Sequence, residues 1–445
     1  MTTDTRPRFA TKFGVIATTV GSAVGLGNIW RFPYEAGAHG GGAFLIIYLI
    51  CVAFIGLPVI CAEFLMGRAS RRNIFGAFRH LSPATGYRWA WVGGMGILAS
   101  LLILSFYSVV AGWTMEYFFG SLTGQATGIS GADRHAAFDS FTSGWRCVLW
   151  TVVLLALNAL ILLGGVRKGI ERVSNLLMPV LFVLLVLLAV NSLLLPGASE
   201  GLRFLFSPDF SKVDSATIIG AMGQAFFSLS LGLGTMMIYG SYFSSRTPLV
   251  RSASITASLD TFVAILAGVI IFPAVFTYNA EPAAGPKLVF EVLPDIFSRM
   301  PGSAVWSTVF FLLLLLASLT STISMSEICV ATACEQFGLK RRNAVALNTA
   351  LAMVLGVLCA LSFGPLSHFT VFGKTVFDLF DYATSNIFLP LGGMLIAIFT
   401  GWIVKRAVVT EQLAPAPRAV VRVIVFCLRY VAPLAIAAIF INGLI

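Results

Sequence analysis

The sequence predicts an all-α, polytopic membrane protein with two inverted five-helix repeats and an eleventh helix. Three observations carry this. Hydrophobic residues make up 58 % of the 445 residues and charged residues only 11 %, whereas about a quarter of a soluble domain is charged. Apolar runs long enough to cross a bilayer, about 20 residues, recur along the whole chain. Two of them, the first and the sixth, are interrupted at mid-depth by closely similar glycine-rich stretches.

Taken in order, the runs fall at 13–36, 42–67, 89–120, 145–164, 170–195, 215–242, 252–278, 304–337, 343–361, 375–404 and 420–442, eleven in all. Several exceed the minimum length, so tilt is expected. The first follows Arg6, Arg8 and Lys12, as the apolar core of a signal peptide would. It runs on past any small-residue cleavage site into Trp30-Arg31-Phe32-Pro33, and it is expected to remain as the first span. The repeats are expected at 13–195 and 215–404, with 420–442 as the additional helix, all within one transmembrane unit over 1–445.

Basic residues set the expected orientation. One set of loops carries Arg6, Arg8, Lys12, Arg68, Arg71, Arg72, Arg79, Arg88, Arg167, Lys168, Arg172, Arg246, Arg251, Lys340, Arg341, Arg342, Lys405, Arg406, Arg418 and Arg422. The other carries Arg134, Arg146, Arg203, Lys212, Lys287, Arg299 and Lys374. The bias places the N-terminus in the cytoplasm and the C-terminus outside, in the cell's inner (plasma) membrane. The same distribution accounts for the net charge of +10 without nucleic acid, because the bases lie in short loops and form no basic face of a soluble domain. The seven cysteines are scattered through apolar runs with no metal-ligand spacing, and they are expected to pack as small core residues.

Gly21-Ser22-Ala23-Val24-Gly25-Leu26-Gly27-Asn28 sits in the middle of the first span. Each glycine costs about 1 kcal/mol in a helix interior, and backbone groups freed by an unwound turn cannot face lipid. The stretch echoes in the sixth span, where Ser230-Leu231-Gly232-Leu233-Gly234-Thr235 parallels Ala23 to Asn28. Five helices lie from one break to the next, an odd number, so the two broken helices enter from opposite sides. Paired interrupted spans point to an inverted-repeat secondary transporter. Close helix packing through small residues is the other reading of the same glycines.

The run Gly25-Leu26-Gly27-Asn28-Ile29-Trp30-Arg31-Phe32-Pro33-Tyr34, with Gly40-Gly41-Gly42-Ala43-Phe44 after it, resembles the first-helix signature of the neurotransmitter:sodium symporters. Gln224 to Gly234 resembles their sixth-helix signature. The resemblance spreads over nearly the whole chain and implies the LeuT-type fold, with a bilayer and a small amino acid as partners, two sodium ions, no organic cofactor and no enzymatic step. It leaves the oligomeric state open. No nucleophile–base pair, phosphate loop or metal motif is visible that would suggest an enzyme.

The resemblance also implies sites. One sodium site would use the carbonyl of Ala23 with Asn28, Ser228 and Asp260. The other would use Gly21, Val24, Ala317, Thr320 and Ser321. Sodium is a hard cation that takes oxygen ligands, and unwound carbonyls supply them; hydroxyls such as those of Thr320 and Ser321 can instead bond back to their own helix. At 260 the family commonly has Asn, with chloride or a Glu one turn later supplying negative charge. Here Ala264 stands one turn later. Asp260 is therefore expected to supply the charge itself, making transport chloride-independent; a protonated structural Asp is the alternative. Tyr48, Gln224 and Ser228 match other positions of the family's chloride pocket.

Gly25 replaces the Asp of monoamine carriers and leaves room for a substrate carboxylate. The N–H groups of Leu26 and Gly27 and the hydroxyl of Tyr107 would meet it; the carbonyls of Ala23, Phe227 and Ser228 and the side chain of Ser230 would meet the ammonium. Val24, Ile103, Phe227, Leu233, Ser321 and Met325 would form an uncharged pocket for an aliphatic or aromatic side chain. Arg31 with Asp381, through water, would gate the outside; Arg6 with Glu335 would gate the inside, with Phe9 where relatives carry Trp. Gly169 and Pro179 resemble a hinge in the fifth span, or mark an ordinary proline kink. Glu63 is expected to bond the broken first helix, Glu327 is a candidate proton carrier, and Arg429 has no evident partner. Sodium-coupled symport of hydrophobic neutral amino acids follows, with a proton-coupled carrier or a non-transporting sensor as rivals.

Overall fold

The computed structural model describes residues 6–83, 87–125, 131–279 and 288–443; Lys287 lies outside them. The regular elements among the described residues are helices joined by turns and loops, with one isolated bridge at Val371 and Lys374. Among the described residues nine helices are long and apolar enough to cross a membrane: Gly42–Ser70, Arg88–Leu122, Trp145–Leu163, Val166–Leu193, Leu249–Thr277, Ser303–Gln336, Arg341–Leu361, Val376–Ile403 and Arg418–Asn442. The first span is a bent pair, Lys12–Ala23 and Gly27–Ala38, with 54° between its halves. The sixth is also split, into Ser215–Ser228 and Thr235–Ser241. These two broken spans complete the expected set.

Each break follows from its sequence. Val24 turns extended after Ala23 (ψ 117°), and the helix resumes one turn later at Gly27. In the sixth span Ser230, Gly232 and Gly234 take φ of 53°, 86° and 79°, a region that only glycine visits cheaply. Ser230 lacks that freedom, and its hydroxyl donates to the carbonyl of Ser22 at 3.2 Å. The two breaks are thereby tied to each other. The sixth span starts on an Asp214 cap, which accepts from Thr217 N and Oγ1 at 2.7 Å each. These bonds hold the Asp214 carboxyl below its usual range.

The broken spans lie at the centre. The first packs on the fifth, seventh and eighth, and the sixth on the second. The third and eighth run against each other, the fourth packs on the ninth, and the eleventh lies on the tenth. Outward residues such as Leu160, Leu176, Val183 and Leu434 are exposed, as lipid contact requires.

The intramembrane charges have partners that the sequence did not name. Glu63 is fully buried, but it bonds the sixth span and not the first: its carboxylate accepts from Gly232 N at 3.0 Å and Met237 N at 3.3 Å. The reason is the left-handed turn at 230–234, which aims freed N–H groups at the second span. Glu327, the candidate proton carrier, is held by two partners. It is paired with Arg341 at 2.7 and 3.1 Å and accepts from the Tyr242 hydroxyl at 2.6 Å. Arg429 donates to the Gly401 carbonyl at 2.6 Å and lies over the Trp402 ring; it meets no carboxylate among the described residues. All seven cysteines are free.

Replacing Glu63 with Ala leaves two buried N–H donors without an acceptor, at a cost of about 1–3 kcal/mol each. A lower thermal unfolding midpoint in detergent, measured against Glu63→Gln, checks this.

Candidate functional site

Both breaks face one small cavity near mid-depth. Its volume is about 40 Å³, and it is lined by Ala23, Gly25, Gly27, Ile103, Phe106, Tyr107, Phe227, Ser228, Ser230, Leu233, Ser321, Met325 and Leu389. Of the residues expected around a substrate, Val24 and Leu26 do not line it. Phe106 and Leu389 do, and neither was legible: each is an apolar residue on a span, with nothing in its neighbours to mark it. No charged side chain lines the cavity.

The cavity's polar end is built by the first break. Tyr107 Oη accepts from Leu26 N at 3.1 Å. A Cβ added at Gly25 would lie 2.8 Å from Ser321 Oγ and 3.1 Å from Tyr107 Oη. Glycine there is a requirement of close approach, since any side chain would displace one of those oxygens. Gln224 donates to the Gly27 carbonyl at 2.9 Å, and Asn28 Oδ1 accepts from Gly25 N at 3.0 Å. Side chains thus take up several of the groups the break releases.

Asn28, Ser228 and Asp260 converge, all buried. Asn28 Nδ2 donates to Asp260 Oδ1 and Ser228 Oγ at 2.8 Å each and to the Asp260 carbonyl at 3.1 Å. Ser228 Oγ donates to Asp260 Oδ2 at 2.6 Å, and Tyr48 Oη lies 3.4 Å from Ser228 Oγ. Both carboxylate oxygens of Asp260 are therefore met by neutral donors only. The second expected group also assembles. Ser321 Oγ donates to the carbonyls of Val24 and Ala317, each at 3.3 Å. Thr320 Oγ1 bonds Ala317 O at 3.0 Å and Leu316 O at 3.2 Å, along its own helix. A Cβ on Gly21 would sit 3.4 Å from Thr320 Cβ.

On one side of the cavity Arg31 lies over the Phe227 ring, 4.5 Å from its centroid, and pairs with Glu35 at 3.3 Å. Arg31 and Asp381 form no direct ion pair among the described residues; Asp381 accepts from Ser385 Oγ at 2.9 Å. Beyond Phe227 is a wider cavity that Arg31, Phe227 and Leu389 share with the tenth and eleventh spans. The opposite side, which carries the N-terminus, is closed. Arg6 pairs with Glu335 and donates to Ser241 Oγ at 2.8 Å. Phe9 packs among Tyr239, Tyr242 and Phe243, with centroids 5.8–6.2 Å apart.

The family model described as "Sodium:neurotransmitter symporter family" matches residues 6–131 and 140–445. The chain belongs to that family. It is 38 % identical over 439 residues to an uncharacterised sodium-dependent transporter (YhdH) of Bacillus subtilis, covering 98 % of this chain and 97 % of the relative. It is 34 % identical to an uncharacterised sodium-dependent transporter of Haemophilus influenzae, with 100 % of each covered. The crystal structure of MhsT in complex with L-phenylalanine matches with a TM-score of 0.90 and 42 % identity, over 98 % of this chain and 100 % of that one. This symporter is thus a multi-pass, sodium-coupled membrane transporter of a small molecule, and its family is not one of enzymes.

The fifth span of the symporter is wound throughout, with a wide π-helical turn at Val166–Glu171 that holds Gly169, and Pro179 within Arg172–Leu193. That turn carries a residue the sequence hid among bases. The Glu171 carboxylate accepts from Ala10 N at 2.9 Å, Thr11 N at 3.0 Å and Thr11 Oγ1 at 3.1 Å. Gly14 makes room for it, since a Cβ there would fall 2.0 Å from Glu171 Oε1. The fifth span thereby clamps the entry of the first, two residues from Gly169. A lone carboxylate within Arg167-Lys168-Gly169-Ile170-Glu171-Arg172 is the signal that could have found it.

Glu171→Ala removes this cap, a change of about 1–2 kcal/mol. A cysteine placed at Val15, which is 6 % exposed, should then react with a water-soluble maleimide about ten-fold faster. An unchanged rate would show that the clamp does not hold the first span closed.

Proposed function

We infer that the protein moves hydrophobic neutral L-amino acids into the cell together with two sodium ions, without chloride, by alternating access around the cavity between the two breaks. The observation that carries this reading is the cavity itself: backbone and hydroxyl groups at one end, apolar walls at the other, and no charged side chain. A zwitterion with an apolar side chain matches both ends. The co-structure of the similar MhsT with L-phenylalanine supports the class.

The substrate carboxylate would meet the Tyr107 hydroxyl and the Gly27 N–H. Tyr107 already accepts from Leu26 N, so its own proton is available to donate. Ala23, Phe227 and Ser228 carbonyls would take the ammonium. The Ser230 hydroxyl donates to the Ser22 carbonyl, so its oxygen would remain free to accept from the ammonium. Ile103, Phe106, Leu233, Met325 and Leu389 would enclose the side chain, and Met325 lets that wall reshape.

One sodium ion would enter the Asn28–Ser228–Asp260 cluster, next to the Ala23 carbonyl. Asn28 turns Nδ2 toward Asp260. An ion there would take the place of those donors, and the amide would turn over to offer Oδ1 only by giving up the bond it accepts from Gly25 N. Asp260 balances the ion's charge, as a buried carboxylate must be balanced; this makes chloride unnecessary. The second ion would lie among the carbonyls of Gly21, Val24 and Ala317 and the hydroxyls of Thr320 and Ser321. Each sodium moving down 100 mV supplies about 2.3 kcal/mol, enough to reset weak gates such as Arg6–Glu335 and Arg31–Asp381. The Lys and Arg asymmetry supports a cytoplasmic N-terminus, and Gly169 with Pro179 gives the fifth span a place to unwind on the inner side.

In proteoliposomes with equal pH on both sides, an imposed sodium gradient should drive labelled phenylalanine or leucine uptake, and replacing chloride with gluconate should leave the rate unchanged. A large loss in gluconate would overturn the role of Asp260. Asp260→Asn should reduce sodium-driven uptake by about a hundred-fold, the scale of leaving a buried charge unbalanced. Gly25→Asp should abolish amino-acid binding.

A further inference from the structure

A third cavity, of about 910 Å³, opens where the N-terminal ends of the first and seventh spans meet the connection into the eleventh. Three bases stand in it: Lys12 at the start of the first span, Arg246 in the connection before the seventh, and Arg251 in its first turn. Among the described residues their side chains make no ion pair, and no carboxylate lines the cavity. The walls below them are apolar, with Ile16 on the first span, Ile255 on the seventh, and Val420, 38 % exposed, on the eleventh.

The cavity is a built feature. Arg68, at the end of the second span, donates through Nε to the Gln412 side chain at 2.7 Å and through its other nitrogens to the carbonyls of Thr247 and Gln412. It staples the connection at 244–248 to the chain at 411–413. The guanidinium holds two walls of the cavity in place.

We propose that this groove binds one anionic phospholipid of the leaflet on the N-terminal side, its phosphodiester among Lys12, Arg246 and Arg251 and its acyl chains along Ile16, Ile255 and Val420. The bases sit at the level of helix ends, where headgroups lie, and the apolar wall runs on from there along the spans, where chains lie. A soluble anion would use the charge and leave the wall wet. Bases near a membrane surface each contribute measurably to attraction for anionic lipid; three unpaired ones around a single groove select one headgroup position. One wall is the first half of the broken first span, bent 54° from its second half. The bound lipid therefore rests on a segment that has to move if the N-terminal side is to open, and it favours the closed position.

Native mass spectrometry of the full chain in detergent tests this, with phosphatidylglycerol and phosphatidylcholine of identical chains as probes. The unaltered chain should prefer phosphatidylglycerol, and Lys12→Gln with Arg246→Gln and Arg251→Gln should lower its affinity on the order of a hundred-fold. Arg88→Gln with Lys340→Gln and Arg342→Gln, an equal loss of charge outside the groove, should not. Val420→Glu keeps the bases, adds a carboxylate to the wall and should weaken binding, which serves if the triple variant does not fold. Equal loss in the control, preference surviving in both groove variants, or displacement of the lipid by millimolar inorganic phosphate would each overturn the proposal.

Discussion

A helix that breaks inside a bilayer must find partners for the backbone groups it releases, because lipid offers none. This constraint organises the symporter. The sixth break hands its N–H groups to Glu63. The first hands its groups to Tyr107, Asn28, Gln224 and Ser321. Those partners come from the first span itself and from the second, third, sixth and eighth, and they must converge at one depth to do this. The cavity is what remains between them. The groups that satisfy the breaks are thus also the groups available to an ion or a zwitterion, and binding can trade one set of partners for another.

The same constraint separates charges that are held from charges that can be released. Glu327 lies between Arg341 and Tyr242, and Arg429 is spent on a carbonyl and an indole ring. Both are locked into packing between spans. Arg31, resting on the Phe227 ring, and Arg6, held by Glu335 and Ser241, stand at the two ends of the cavity. Glu171 holds two N–H groups of the segment that leads into the first span.

Much of this was legible in the sequence because it is written locally. Glycines at mid-span mark a break wherever they fall, and the echo of 23–28 at 230–235 reveals the repeat. The convergence of Asn28, Ser228 and Asp260 was legible only through the resemblance, since these positions lie on three different helices. What the residues could not convey is direction. Glu63 is an intramembrane carboxylate in any reading, but which break it faces depends on the hand of the turn at 230–234. Glu171 looks like one more charge in a loop until the fold brings Ala10 and Thr11 to it. Phe106 and Leu389 line the cavity through helix rotation, which periodicity alone does not set when a span is apolar on every face.

Ser321 stands where the cavity and the Val24–Ala317–Thr320 group touch. Its oxygen bonds the Val24 carbonyl on one side and confronts the bare Cα of Gly25 on the other, with less than one methyl group of clearance. Positions 25 and 321 are for this reason not free to vary separately. An exchange at 25 that reshapes the space for a solute also pushes on a hydroxyl held by a neighbouring carbonyl. Adaptation to a new solute would have to pass through paired changes at the two positions, an epistasis imposed by the width of one carbon atom.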